Sequence, residues 1–224
     1  MKKLVCTCLT LIILFATAAN AQVKVGVIGG LNFANITHKE LGAQSVKGDT
    51  KFGIGAIADI CLFDNFELRL EPMYITKGAV ATSSEVNPVD FNIKFSYLEL
   101  PVLLKYSFGD MINPYLVAGP VLSYNTSSEM ETTVNQVSFI GDVSDITKSL
   151  EYSVTFGGGV TLALEGISVF IEGRYTLGLN DVISEGEYVL NGGGITISEP
   201  VPDEVEMKNK GLQVLAGFII PLGL

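Results

Sequence analysis

Phe91 to Phe108, FNIKFSYLELPVLLKYSF, is extended, two-faced and too long for an ordinary strand. At about 3.3 Å per residue it would reach about 60 Å, whereas a globular strand usually has about five or six residues. Strand side chains alternate with period two, which puts Leu98, Leu100, Val102, Leu104, Tyr106 and Phe108 on one face and Glu99, Pro101, Leu103, Lys105 and Ser107 on the other. Before Tyr97 the alternation shifts by one, with Phe91, Ile93, Phe95 and Tyr97 apolar; a bulge near Tyr97 and Leu98 would reconcile the halves. Pro101, which has no N–H to donate, also asks for a local irregularity. A soluble protein buries the oily face against a second layer, whereas a membrane barrel turns it to lipid.

The start of the chain bears on that choice. Lys2 and Lys3, the apolar run Leu4 to Ala18 and the small-x-small triplet Ala19, Asn20, Ala21 predict a secretory signal over residues 1–21, with the domain at 22–224. The run is shorter than the roughly 20 residues a spanning helix needs, and Thr7 and Thr10 interrupt it. Removing 21 of the 224 residues leaves 203, enough for one domain, and losing Lys2 and Lys3 takes the formal charge from −10 to −12. Such acidity disfavours nucleic acid, whose phosphates call for a basic surface. Cys6 and Cys8 fall in the leader, so Cys61 has no partner for an internal disulfide and reads as a small apolar side chain.

Eight alternating segments follow. The first strand covers Val23 to Phe33, the second Phe52 to Leu62, the third Phe66 to Lys77, and the opening stretch is the fourth. The fifth is Pro114 to Thr126, the sixth Tyr152 to Leu164, the seventh Ile167 to Asn180 and the eighth Gly211 to Leu222. Short turns are expected at 63–65, 109–113 and 165–166, and long polar loops at Asn35 to Thr50, Ala79 to Asp90, Ser127 to Lys148 and Asp181 to Lys210. Short and long connections therefore alternate. The expected fold is all-β: an eight-stranded antiparallel up-and-down transmembrane β-barrel with short periplasmic turns and long extracellular loops, closed because lipid leaves no partner for an open edge. A soluble lipocalin-like barrel is the alternative, but the mixed charges on one face of the third and seventh strands suit a self-neutralising interior better.

Tyr97 to Tyr106 (YLELPVLLKY), with Gly29 to Phe33 (GGLNF) and Pro114-Tyr115 to Gly119-Pro120, resembles the PorT-like outer-membrane β-barrel family of Bacteroidetes, across essentially the whole mature chain. The resemblance implies an eight-stranded porin-family barrel in the outer membrane of a Gram-negative cell, exported by its leader, with a namesake that serves a secretion system. Many outer-membrane barrels finish on an aromatic residue; this chain ends IPLGL, so the barrel assembly machinery is expected to read Phe218 or a less conventional mark.

Eight strands enclose an interior just wide enough for side chains to fill it. Asp59, Glu67, Arg69, Glu71, Glu99, Lys105, Glu172 and Arg174 are expected there as a structural ion network, paired because an uncompensated buried charge is costly. A gated ion path through them is the alternative. A hydrolase would want a histidine to move protons, and the sequence holds only His38, with no recognisable Ser, Asp or Glu spacing around it. Gly192-Gly193-Gly194 lacks the Lys-Ser/Thr of a phosphate loop, and the carboxylates Asp181, Glu185, Glu187, Glu199, Asp203, Glu204 and Glu206 match no calcium loop. No catalytic residue, metal or cofactor is expected. The expectation is a non-enzymatic barrel that displays acidic loops to an envelope or secretion-system protein, with outer-membrane lipid as its other partner. A narrow porin-like channel and, less well supported, an outer-membrane hydrolase using His38 are the alternatives.

Overall fold

A computed structural model of the chain describes residues 22–39, 45–83, 89–109, 111–134, 137–184, 186–192, 195–200 and 206–222. The expected leader, residues 1–21, lies outside them. Among the described residues there are twelve strands: β1 (Val23–Lys39), β2 (Ser45–Phe63), β3 (Phe66–Leu70), β4 (Met73–Ser83), β5 (Val89–Ser107), β6 (Ile112–Val134), β7 (Val137–Asp142), β8 (Leu150–Leu164), β9 (Ile167–Gly178), β10 (Glu187–Gly192), β11 (Ile195–Pro200) and β12 (Glu206–Leu222). All belong to one sheet whose pairings are antiparallel.

The segment expected as the third strand is divided. Pro72 carries no N–H, and β3 gives way to β4 at Glu71 and Pro72. The ladder is carried across the gap by Ala56 N–H donating to the Pro72 carbonyl at 3.0 Å and Glu71 N–H donating to Pro101 at 3.2 Å. Around the sheet β1 pairs with β2, β2 with β3 and β4, both of these with β5, β5 with β6, β6 with β8, β8 with β9, β9 with β12, and β12 again with β1.

The long connections correct the sequence reading. Much of what was expected as loop is strand: β1 runs on to Lys39 and β2 begins at Ser45; β4 extends to Ser83 and β5 begins at Val89. β6 reaches Val134 and pairs with β7, and β10 pairs with β11 and, at Asn191 and Ile140, with β7. A one-turn 3₁₀ segment, Ser144–Ile146, follows β7; Asp142 accepts the Ser144 N–H at 2.8 Å, and the Ser144 hydroxyl and amide hold the Asp142 carboxyl below the ordinary carboxylate range. Polar composition in these stretches reports water on the outer surface, and a hydrated antiparallel hairpin satisfies its backbone groups as fully as an oily one.

The two faces differ along the length of the staves. In their lower and middle parts the outward side chains are apolar and exposed, among them Leu104, Leu116, Phe156, Ile171, Val214 and Phe218. Inward side chains there include Asp59, Arg69, Glu172 and Arg174, all buried. In the extensions the order reverses: Ile75, Phe95, Tyr97 and Met207 are buried inside, together with a second apolar group formed by Met130, Phe139, Val143, Ile146 and Leu190. Lys94 and Glu129 face out there.

That reversal explains the shift of pattern at Tyr97. A register break does occur between Ser96 and Tyr97, yet the additional residue is Thr126 of β6, whose hydroxyl donates to the Ser96 carbonyl at 3.1 Å. The β4–β5 register is unbroken there, with Ile75 opposite Tyr97 and Thr76 opposite Ser96. β5 keeps its alternation, so Phe95, Tyr97, Glu99, Leu103 and Lys105 all point inward. What changes along β5 is the polarity of inside and outside.

Candidate functional site: the buried ion network

Arg69 on β3 is the hub of the lower interior. Its Nε donates to Asp59 Oδ1 at 2.6 Å and its Nη2 to Asp59 Oδ2 at 2.8 Å, the two-pronged geometry that a planar guanidinium offers a carboxylate. Nη1 donates to Glu172 Oε2 on β9 at 3.0 Å and lies 3.6 Å from Glu71 Oε1. Arg174, two residues along β9 and on the same inward face, forks onto Glu71 at 2.6 and 3.1 Å and reaches Glu172 Oε1 at 2.5 Å. On the other side Lys105 Nζ of β5 lies 3.1 Å from Asp59 Oδ2 and 2.7 Å from Glu67 Oε2, and Lys24 of β1 reaches Glu67 Oε1 at 2.5 Å. Lys24, Arg69, Lys105 and Arg174 thus meet Asp59, Glu67, Glu71 and Glu172 in one chain whose formal charges cancel.

Seven of the eight residues singled out in the sequence meet in this chain. Glu99 does not; it belongs to a second, higher group, where Lys77 Nζ of β4 lies 2.7 Å from Glu99 Oε1 and 3.0 Å from Glu151 Oε1 of β8. Ser123 donates to Glu99 at 2.8 Å and Asn209 to Glu151 at 2.8 Å, and the Lys77 ammonium stands 4.8 Å from the Tyr97 ring centre. Sequence reasoning missed Lys24, Lys77 and Glu151 as members. Lys24 and Lys77 already stood on the polar side of their strands, whereas Glu151 fell just outside the expected sixth strand. Tyr115, whose hydroxyl donates to Glu172 at 2.8 Å under Arg69 and Lys105, carried no charge to mark it.

Space for these groups comes from glycines on the neighbouring stave β8. A Cβ on Gly159 would stand 2.6 Å from the Tyr115 ring, and one on Gly157 would stand 2.6 Å from Cα and Cβ of Arg174. Apolar side chains fill what the ions leave: Ile28, Ile57, Met73, Leu103, Val117, Phe170, Leu215 and Ile219 pack around Tyr115.

Above the second group the interior is covered. Val182 and Ile183, on the segment after β9, are buried against Ile75, Phe95, Tyr97 and Met207. Val182 N–H donates to the Met207 carbonyl at 2.9 Å, Lys148 N–H to the Val182 carbonyl at 2.8 Å, and Ser184 N–H to the Ile146 carbonyl at 2.8 Å. This backbone lashing holds an apolar stopper over a charged interior.

The other sequence candidates lie elsewhere. His38 is in β1, opposite Met207 in the ladder, and not in a loop. Of the acidic residues expected in the last loop, Glu187 is on β10, Glu199 on β11 and Glu206 on β12, while Glu185, Asp203 and Glu204 fall outside the described residues. Gly192 ends β10, and Gly193 and Gly194 are likewise outside them. Among the described residues no three His, Cys, Asp or Glu side chains are placed to hold a metal ion.

The profile of a family described as "Outer membrane protein beta-barrel domain" matches residues 16–184. No curated protein matches the sequence. Among solved structures, a major outer membrane protein of Thermus thermophilus superposes with a TM-score of 0.54 at 9% identity, covering 91% of this chain and 100% of the other. The outer membrane protein OprG of Pseudomonas aeruginosa superposes with a TM-score of 0.50 at 12% identity, covering 91% and 98%. At such identities the likeness concerns the fold alone.

Proposed function

The chain belongs to the outer membrane protein beta-barrel domain family and is thereby an outer-membrane protein, and from that premise we propose that it is a sealed, non-enzymatic eight-staved barrel that carries a strand-built platform at the cell surface. Counting β3 and β4 as one stave, the pairings that lead from β1 back to β1 support eight; β7, β10 and β11 branch from β6 as the platform. The short turns then face the periplasm and the extensions face outward, in keeping with bacterial barrels generally. Residues 1–21 would serve as the export signal. The likeness of Tyr97 to Tyr106 to the PorT-like proteins of Bacteroidetes supports a place in that branch.

One observation carries the reading: the interior is filled by a neutral, mutually paired ion chain and stoppered by Val182 and Ile183. Such a barrel contributes surface rather than passage. Its partners would be outer-membrane lipid, the barrel assembly machinery during insertion, and an envelope or secretion-system protein that meets the platform. Planar-bilayer recording of the refolded chain, combined with crosslinking and affinity purification from native envelopes, tests this. A silent bilayer and a reproducible envelope partner are expected; large unitary currents would make it a porin-like channel instead.

A further inference from the structure

We propose that the outward face of β12 at the upper edge of the apolar belt, carrying Lys208 and Lys210, binds the phosphate groups of outer-leaflet lipid; the inference rests on the membrane orientation proposed above. The upper part of the belt carries these ladder pairs: Phe33 opposite Leu212, Ile54 opposite Tyr74, Tyr74 opposite Leu98, Leu98 opposite Tyr124 and Val154 opposite Leu177, with Leu150, Tyr152 and Leu179 above the last pair. Each of these side chains is exposed. Lys210 lies opposite Leu177 of β9 on one side and Asn35 of β1 on the other, one outward position above Leu212. Lys208 is the next outward position, the ladder partner of Thr37 of β1, and Lys39 and Glu206 are ladder partners above that.

Two adjacent outward lysines without a carboxylate partner among the described residues mark this face. Lys94, on the outward face of β5, has Glu129 at 3.6 Å, and Lys51 has Asp49. Lys208 and Lys210 form no ion pair with a carboxylate among the described residues, and both are partly exposed. The whole chain carries a formal −10, and Glu129, Asp142 and Glu187 are exposed on the extensions. An acidic rim repels an anionic headgroup layer, so two adjacent outward lysines at the height of that layer supply the attraction. A lysine there lays its aliphatic stem along apolar surface and lifts its ammonium into the phosphate plane.

The test uses the full chain refolded into nanodiscs of zwitterionic phosphatidylcholine doped with diphosphorylated lipid A or with its dephosphorylated form, and counts bound lipid by native mass spectrometry. The wild-type protein should retain the phosphorylated form selectively. The double variant Lys208→Gln, Lys210→Gln should lose retention by roughly fivefold per lysine, the usual contribution of a cation beside a charged lipid surface. The double arginine variant should keep it, and Lys94→Gln should leave it unchanged. Equal retention of both lipid forms, or a folded glutamine variant that binds like wild type, would overturn the proposal. Should the glutamine variant not fold, the comparison of the two lipids on wild-type protein decides by itself. Insertion into plain phosphatidylcholine vesicles reports on the barrel reading separately.

Discussion

Arg174 reaches across the interior to Glu71, Nη1 2.6 Å from Oε2 and Nη2 3.1 Å from Oε1, and so ties β9 to the bend where β3 gives way to β4. The two residues are 103 apart in sequence, and both are buried. Removing Arg174 leaves buried Glu71 with only the more distant Arg69 guanidinium, 3.6 Å away. Arg174→Ala should therefore lower stability by about 3–5 kcal/mol, whereas replacing both residues by methionine should come closer to neutral. Urea titration followed by heat-modifiable gel mobility measures both. Neither variant should raise bilayer conductance, because Arg69, Tyr115 and the apolar packing still occupy the bore.

Gly159 and Gly173 provide a contrast of position. A Cβ on Gly159 would meet the Tyr115 ring at 2.6 Å and the Ile171 carbonyl at 2.4 Å, while one on Gly173 meets nothing within 4 Å. Gly159→Val should prevent assembly or displace Tyr115, and Gly173→Ala should fold with little change. The yield of heat-modifiable monomer on refolding distinguishes them; equal yields would show that the interior has slack the packing denies.

Ile171 is 60% exposed on the middle of the oily face. In lipid, Ile171→Arg should cost about 2–4 kcal/mol, the depth-dependent cost of a cation on the outside of a barrel. Thr196→Arg, at an exposed position of β11, should cost almost nothing. Comparable small effects at both positions would favour a solvated exterior and revive the soluble alternative.

The stopper can be tested by access. Ser123 is fully buried below it, hydrogen-bonded to Glu99. In a Cys61→Ser background, Ser123→Cys should resist a charged thiol reagent, and adding Val182→Asp with Ile183→Asp should open it to labelling. Rapid labelling with the native stopper in place would argue that the interior is reached by another route.

Sequence alone determined the alternation, and with it the inward set. Asp59, Glu67, Arg69, Glu71, Glu99, Lys105, Glu172 and Arg174 are legible as one face because period-two geometry sends every second side chain to the same side of a strand. Short-range pattern also marked the irregularity at Tyr97. It could not say which strand holds the additional residue: a bulge is a relation between two strands, and Thr126 lies 29 positions beyond Tyr97. Only the tertiary structure decided which charges pair, since the Arg174 and Glu71 partnership depends on how staves distant in sequence face each other across the interior. It also separated Glu99 from the lower chain, brought in Lys24, Lys77 and Glu151, and turned much of the four expected loops into strand among the described residues. The loops were misread because polarity along a strand reports the solvent outside, while strand continuity is set by backbone partners that a local pattern does not contain.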